Sequence, residues 1–309
     1  MQITSGTEIN RQTLTGNRDI YIQFLNQQKN QSFFCCPYPG NPGDRLIRRG
    51  TLQLLTDLDV KTTNDQQQAD ILLFPGGCPT IWPDVMDLIV KTLENYPDKK
   101  IVIGPATFEF GFTDWPDIFS RYANRIAGLF CRDNRSYQNL TTAELPETIV
   151  QGLSHDPAIY LKNFKWLEEL KSDLSEEYIL VALRRDKEML PSAEERLTRK
   201  IMPLLSEKKS AKILHWAKKS AKLHKLKDIR KSCARDLPIR DVEIWLLDDS
   251  QYLQTICGAK EVHTDRLHVM IVAAMLGKKV FAYKTLYGKL ENVYEHSLKG
   301  WADVTFVDA

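Results

Sequence analysis

The sequence predicts an α/β protein of two doubly wound domains. Three observations lead there. Short apolar runs ending in Gly or Pro alternate with helix-period segments through the first half of the chain. That alternation is the signature of parallel strands joined by crossover helices. The second half repeats the plan, and 309 residues suit two domains of about 150 each. A polar, charged stretch near 160–177 marks the break, giving domains over 1–165 and 166–309.

The elements follow in order. Ser32-Phe33-Phe34-Cys35-Cys36 is the first apolar run, and a turn-rich loop from Pro37 to Gly43 follows it. Leu46, Ile47, Leu52 and Leu55 then carry helical spacing from Asp44 to Leu55. Ala69–Phe74 reads as a buried strand closed by Pro75-Gly76-Gly77, and Trp82–Leu93 as a helix. Lys100–Gly104 is a strand that Pro105 should break, and Ala127–Cys131 is another, with Arg132 at its end. In the second half, Tyr178–Leu183 is a strand ending in Arg184. A helix is expected over 193–205, a strand over Asp241–Leu247 and a helix over Asp249–Cys257. Lys279–Tyr283 and Val304–Val307 close the series as strands.

The most informative stretch is Glu261 to Lys278. His263, Asp265, Arg266 and His268 crowd what reads as the start of a buried helix, capped by Thr264 or Asp265 and ended by Gly277. A core helix seldom opens on so many titratable groups. Free N–H groups at a helix start attract anions. Arg266 adds a fork suited to phosphate or carboxylate, and His268 a proton donor near neutral pH. An anionic substrate and a general acid are expected here.

Composition narrows the classes. A net charge of +2 over the whole chain argues against a nucleic-acid binder. No apolar run approaches a membrane span, and the start Met1-Gln2-Ile3-Thr4 lacks the pattern of a signal peptide. Six scattered cysteines without a C-x-x-C pair fit a reduced, cytoplasmic chain with no metal-ligand spacing. From Lys208 to Lys231 the only acidic residue is Asp228. That segment is either a solvated face or a contact for the anionic inner face of a membrane or a polyanionic acceptor. Asn41, Gly43 and Asp44 after the first strand, and Gly76 and Gly77 after the second, are either simple turns and caps or places where backbone approaches a ligand. Arg132 and Arg184, each at a strand end, are either surface ion pairs or part of a cationic cleft with Arg266. No dinucleotide or Walker A spacing occurs.

Taken in order, Asn41-x-Gly43-Asp44, Pro75-Gly76-Gly77, Arg132-Asp133-x-x-Ser136, Asp156-Pro157-Ala158, Leu183-Arg184-x-Asp186 and Thr264-Asp265-Arg266-Leu267-His268, with Tyr287-Gly288-Lys289 and Tyr294-Glu295, resemble the polysaccharide pyruvyltransferase family. The resemblance implies two Rossmann-like domains facing across a cleft, GT-B-like, with the acceptor on the first and the donor on the second. It implies transfer of the enolpyruvyl carbons of phosphoenolpyruvate to a sugar of a polysaccharide or lipid-linked glycan, giving a pyruvate ketal with no further cofactor. By similarity Arg184, Arg266, the Leu267 backbone and His268 bind phosphoenolpyruvate, with His268 as acid. His263, Tyr287, Lys289, Arg132, Asn41, Gly43, Asp44, Gly76 and Gly77 are the further substrate-binding candidates. The chain departs from the family pattern at Pro42 and at Lys284-Thr285-Leu286. Two other readings stand beside this one: a glycosyltransferase using a nucleotide sugar, and a non-catalytic glycan-binding protein.

Overall fold

The computed structural model describes residues 19–37, 40–163, 167, 169–170, 177–184, 227–231, 237–285, 287–300 and 302–307. The expected helix over 193–205 and the basic stretch from 208 to 226 lie outside them. The chain divides into two compact units: Met1–Ser172 with Glu291–Ala302, and Asp173–Leu290 with Asp303–Ala309.

The first unit is a five-stranded parallel sheet. Its strands are β1 (Phe33–Cys35), β2 (Ile71–Phe74), β3 (Lys100–Ala106), β4 (Ile126–Cys131) and β5 (Val150–Leu153), in that spatial order. Helices α1 (Ile20–Gln27), α2 (Pro42–Asp57), α3 (Pro83–Asn95), α4 (Trp115–Arg121) and α5 (Asn134–Thr142) surround it. Alternation along each strand sends side chains to opposite faces. Leu72, Phe74, Ile101 and Ile103 pack with α3, α4 and α5, whereas Ile71, Leu73 and Val102 pack with α1 and α2. Beyond β1, Thr62 forms a parallel bridge to Phe33, with the Phe33 N–H on Lys61 O at 2.9 Å and the Thr63 N–H on Phe33 O at 2.9 Å. The chain therefore leaves β1 in one direction and returns on its other side to form β2. That reversal makes the sheet doubly wound, with its switch point between β1 and β2.

The second unit repeats this order. Its strands are β6 (Tyr178–Ala182), β7 (Ile239–Asp241), β8 (Ala259–Thr264), β9 (Lys279–Tyr283) and β10 (Val304–Val307), arranged β7-β6-β8-β9-β10 and all parallel. Its switch point lies between β6 and β8. Helices α6 (Asp249–Cys257), α7 (Leu267–Met275) and α8 (Lys289–Val293) belong to these connections, and α8 continues as a π-helical turn, Tyr294–Leu298.

Three sequence expectations change. The strand at Lys100 runs through Pro105 to Ala106, because its register with β4 shifts between Ile103 and Ala106. The missing proline N–H falls in that irregularity and costs no ladder bond. The run Asp241–Leu247 is not one strand: β7 ends at Asp241, and Ile244–Leu246 is a 3₁₀ turn burying Ile244 while Trp245 and Leu246 stay exposed. A short apolar run does not distinguish these outcomes. The stretch opening at Glu261 is strand β8, and the helix begins only at Leu267. Its N-cap is Arg266, without a side-chain cap bond. Gly277, at φ +73°, ends the helix as expected, with Gly277 N–H on Ala274 O and Lys278 N–H on Ala273 O. This is a Schellman closure, and the left-handed residue in it favours glycine.

Candidate active site

Ligands of doubly wound sheets bind beyond the carboxyl ends of the strands, at the switch point. In the second unit those ends carry the residues singled out by the sequence. Arg184 lies two residues past β6, and Arg266 and His268 follow β8. Thr264 pairs with Ala182 across the two strands, and its hydroxyl donates to Ala182 O at 2.8 Å. The same hydroxyl accepts the Arg266 N–H at 3.0 Å. Asp265 is buried and does not cap the helix; its carboxylate accepts the Arg184 N–H at 2.6 Å. Asp265 thus bridges the two strand ends and fixes where Arg184 leaves the sheet.

Helix α7 is apolar and buried along its length, and His268 is its one residue of intermediate exposure. A helix hydrophobic all round belongs to a core. An imidazole in its first turn is what such a helix would otherwise avoid. Arg184 and Arg266 are likewise half-buried. Beyond β9, Gly288 at φ +65° turns the chain so that Tyr287 and Lys289 lie buried at the next strand end, with the Lys289 N–H on Thr285 Oγ1 at 3.1 Å.

His263 stands apart from these. It is inside strand β8, 2% exposed, with Nδ1 3.0 Å from Tyr283 OH, Nε2 2.7 Å from Glu261, and its ring stacked on Phe281. Burial pushes its pKa down, against the pull of Glu261. In this structure it is an interior strand residue rather than part of the helix start.

The first unit holds the remaining candidates. Asn41 caps α2: its side chain accepts the Gly43 N–H at 2.8 Å, and Asp44 Oδ2 accepts the Asn41 N–H at 3.0 Å. This capping box occupies the helix start with the protein's own carboxylate. Gly76 and Gly77 follow β2 at φ +132° and +90°. A Cβ on Gly76 would stand 2.3 Å from Pro105 O, so the close approach of two strand ends requires the glycine.

Arg132 is wholly buried instead of forming a surface ion pair. Its Nη1 pairs with Asp156 at 2.7 Å, Nε donates to Thr107 Oγ1 at 3.0 Å, and Nη2 to Cys78 Sγ at 3.0 Å. Burial opposes its charge, but Cys78 and Asp156 more than restore it and push the pKa up. One guanidinium thereby ties the segments after β2, β3, β4 and β5 together. Sequence reasoning did not anticipate Asp265 as the bridge or Asp156 as the partner of Arg132. Neither signal is local, since the Arg184–Asp265 contact spans 81 residues.

Residues 26–285 match the family described as polysaccharide pyruvyl transferase. The chain belongs to that family. No curated protein matches the sequence. Among solved structures, this pyruvyl transferase family member is similar to a functionally uncharacterised protein from Klebsiella pneumoniae. The two share 21% identity over 94% of this chain and 97% of that one, with a TM-score of 0.61. The likeness shows a shared fold, which in this chain is two units each built on a five-stranded parallel sheet. A UDP-GlcNAc 2-epimerase from Methanocaldococcus jannaschii is 14% identical over 86% of this chain and 71% of that one, TM-score 0.37. The UDP-bound MnaA of S. aureus is 12% identical over 87% and 86%, TM-score 0.38. No helix among the described residues is long and apolar enough to cross a membrane.

Proposed function

We propose that this pyruvyl transferase moves the enolpyruvyl carbons of phosphoenolpyruvate onto two hydroxyls of one sugar in a polysaccharide or lipid-linked glycan precursor. The observation that supports this most is the Asp265 bridge, which sets Arg184 beside the start of the helix bearing Arg266 and His268. Two arginines suit a donor carrying both a phosphate and a carboxylate. The Leu267 backbone at the helix start adds N–H donors.

In the proposed reaction His268 gives a proton to C3 of phosphoenolpyruvate, which makes C2 electrophilic. A sugar hydroxyl bonds to C2 and loses its proton. The bond from C2 to the phosphate oxygen breaks, and the electron pair leaves with phosphate. A second hydroxyl of the same sugar then bonds to C2, loses its proton and closes the ketal; of the two hydroxyl protons, one restores His268 and the other leaves on phosphate. Phosphoenolpyruvate and a diol become a ketal and inorganic phosphate, with no change of oxidation state. Arg184 and Arg266 stabilise the departing phosphate. The basic sequence between 208 and 231 is proposed to draw the protein to anionic lipid or to a charged acceptor on the cytoplasmic side.

The test pairs binding with turnover. Phosphoenolpyruvate should raise the unfolding midpoint of the protein, whereas UDP-sugars should not. Incubation with phosphoenolpyruvate and a glycoside panel should release phosphate and yield a product heavier by the pyruvate ketal. Stabilisation by a UDP-sugar alone would move the assignment to a glycosyltransferase. Glycan binding without phosphate release would make it a glycan-binding protein.

A further inference from the structure

In the first unit, the segment leaving the carboxyl end of β3 is unusually aromatic: Phe108, Phe110, Phe112 and Trp115 fall within eight residues. Phe108 and Trp115 are fully buried, but Phe110 is 42% and Phe112 38% exposed. The Phe110 ring lies on Trp115 with centroids 5.2 Å apart and planes at 28°. Trp115 is itself fixed, with its indole N–H on Glu109 O at 2.9 Å and its ring against Phe108 and Phe119.

The loop backbone is also held. The Glu109 N–H donates to Thr80 Oγ1 at 2.9 Å, Thr113 Oγ1 to Thr80 O at 2.9 Å, and the Phe108 N–H to Ser136 Oγ at 3.1 Å. Gly111, at φ +84°, turns between the two exposed rings, and a Cβ there would meet nothing within 4 Å. Next to Phe110, Glu109 forms a two-pronged pair with Arg135, Nε to Oε1 at 2.6 Å and Nη2 to Oε2 at 3.0 Å. The Arg135 side chain is 47% exposed, and Nη1 stands outside that pair.

We propose that this loop is a pyranose-binding platform for the glycan acceptor, a reading that rests on the proposed function. A pyranose has a flat face of C–H groups and a rim of hydroxyls. The exposed face of Phe110 takes the C–H face. Arg135 Nη1 donates to rim hydroxyls, and the Glu109 carboxylate holds Arg135 in place. Because the rings and backbone are already ordered, binding costs little conformational entropy. A lipid surface would call for a broader apolar area than two rings bordered by Glu109, Thr113, Asp114 and Arg135. The platform also follows a strand's carboxyl end, the ligand edge of this sheet type.

The experiment measures glycan binding to the full chain without phosphoenolpyruvate, by calorimetry and saturation-transfer NMR. The probes are β-linked di- and trisaccharides of glucose, galactose and their 2-acetamido forms, with phosphatidylglycerol vesicles as a separate arm. At least one saccharide should bind. Phe110→Ala should weaken it by about fivefold or more, the scale of a lost aromatic contact, and Phe110→Trp should retain it. Phe110→Trp should unfold near the wild-type temperature, and Phe110→Ala only slightly below it, through the lost stacking on Trp115. Unchanged saccharide affinity in Phe110→Ala overturns the platform, as does absence of binding by every saccharide. Loss of vesicle binding instead of saccharide binding in that variant overturns it in favour of a lipid surface. Saccharide binding that depends on Phe110, with no phosphate released when phosphoenolpyruvate is then added, sinks the pyruvyl transfer proposal and leaves the platform standing.

Discussion

His268 is the residue on which the proposed chemistry turns. It is the polar exception on a buried apolar helix and the one residue of that helix at intermediate exposure. His268→Ala should leave the unfolding midpoint near wild type and lower phosphate release by at least about 10²-fold, the scale of general acid catalysis. Retained release would remove it as the acid. Arg132 makes the opposite case, an arginine whose value is structural. Asp156→Ala leaves a buried guanidinium without its carboxylate and should cost about 3–5 kcal/mol in urea unfolding. Replacing both partners with apolar residues, Arg132→Met with Asp156→Leu, should recover much of that loss. Equal loss in the single and double variants would show that the ion pair is not what matters there.

At the scale of elements, the contact between α2 and the 3₁₀ turn Pro157–Asn163 sets how closely the first unit packs. Gly50 is an interior helix residue, where alanine ordinarily gains about 1 kcal/mol. Here a Cβ would stand 1.8 Å from Pro157 O, and a backbone carbonyl cannot swing aside. Gly50→Ala should therefore destabilise by about 1–3 kcal/mol, reversing the propensity. A stabilised variant in chemical denaturation would contradict the packing. A separate close approach, of Pro105 O to Gly76, excludes a side chain in the same way at the ends of β2 and β3. Backbones meet at these strand ends, and side chains are excluded.

At the scale of the whole molecule, the chain's return to its first unit carries a titratable contact. Glu291–Ala302 groups with the first unit, and there His296 stacks on His155 at 5.0 Å. His155 Nδ1 lies 2.9 Å from Ser297 Oγ, and His296 Nε2 donates to Ser154 O at 2.9 Å. Burial, then the neighbouring His296, push the His155 pKa down to about 4. Burial also lowers His296, with Asp133 pulling the other way. Both histidines are held neutral in the folded state. The unfolded chain therefore binds more protons as pH falls below about 6.5, and the stability present above that pH drains away toward pH 4. The loss for His155 is on the order of 3 kcal/mol. Urea midpoints should fall between pH 7 and pH 5, before most carboxylates titrate. His155→Gln should flatten that slope; an unchanged slope would assign it to other groups.

Much of this protein was legible in the chain. Alternating short apolar runs and helical periods determined a parallel α/β fold, because burial on both sheet faces leaves no other pattern. Strands β9 and β10 fall where the apolar runs put them, and Gly277 closes α7 as its place after the apolar run required. The ordered motifs from Asn41 to Lys289 were enough to suggest the family. Tertiary structure decided what depends on neighbours distant in sequence. It moved His263 into a strand interior and buried Arg132 against Asp156. It also gave Asp265 to Arg184 rather than to the helix cap. Local propensity sees only a few residues at a time. The partner of a buried charge, the register around a proline and the crowding at a glycine are set by chain segments tens of residues away.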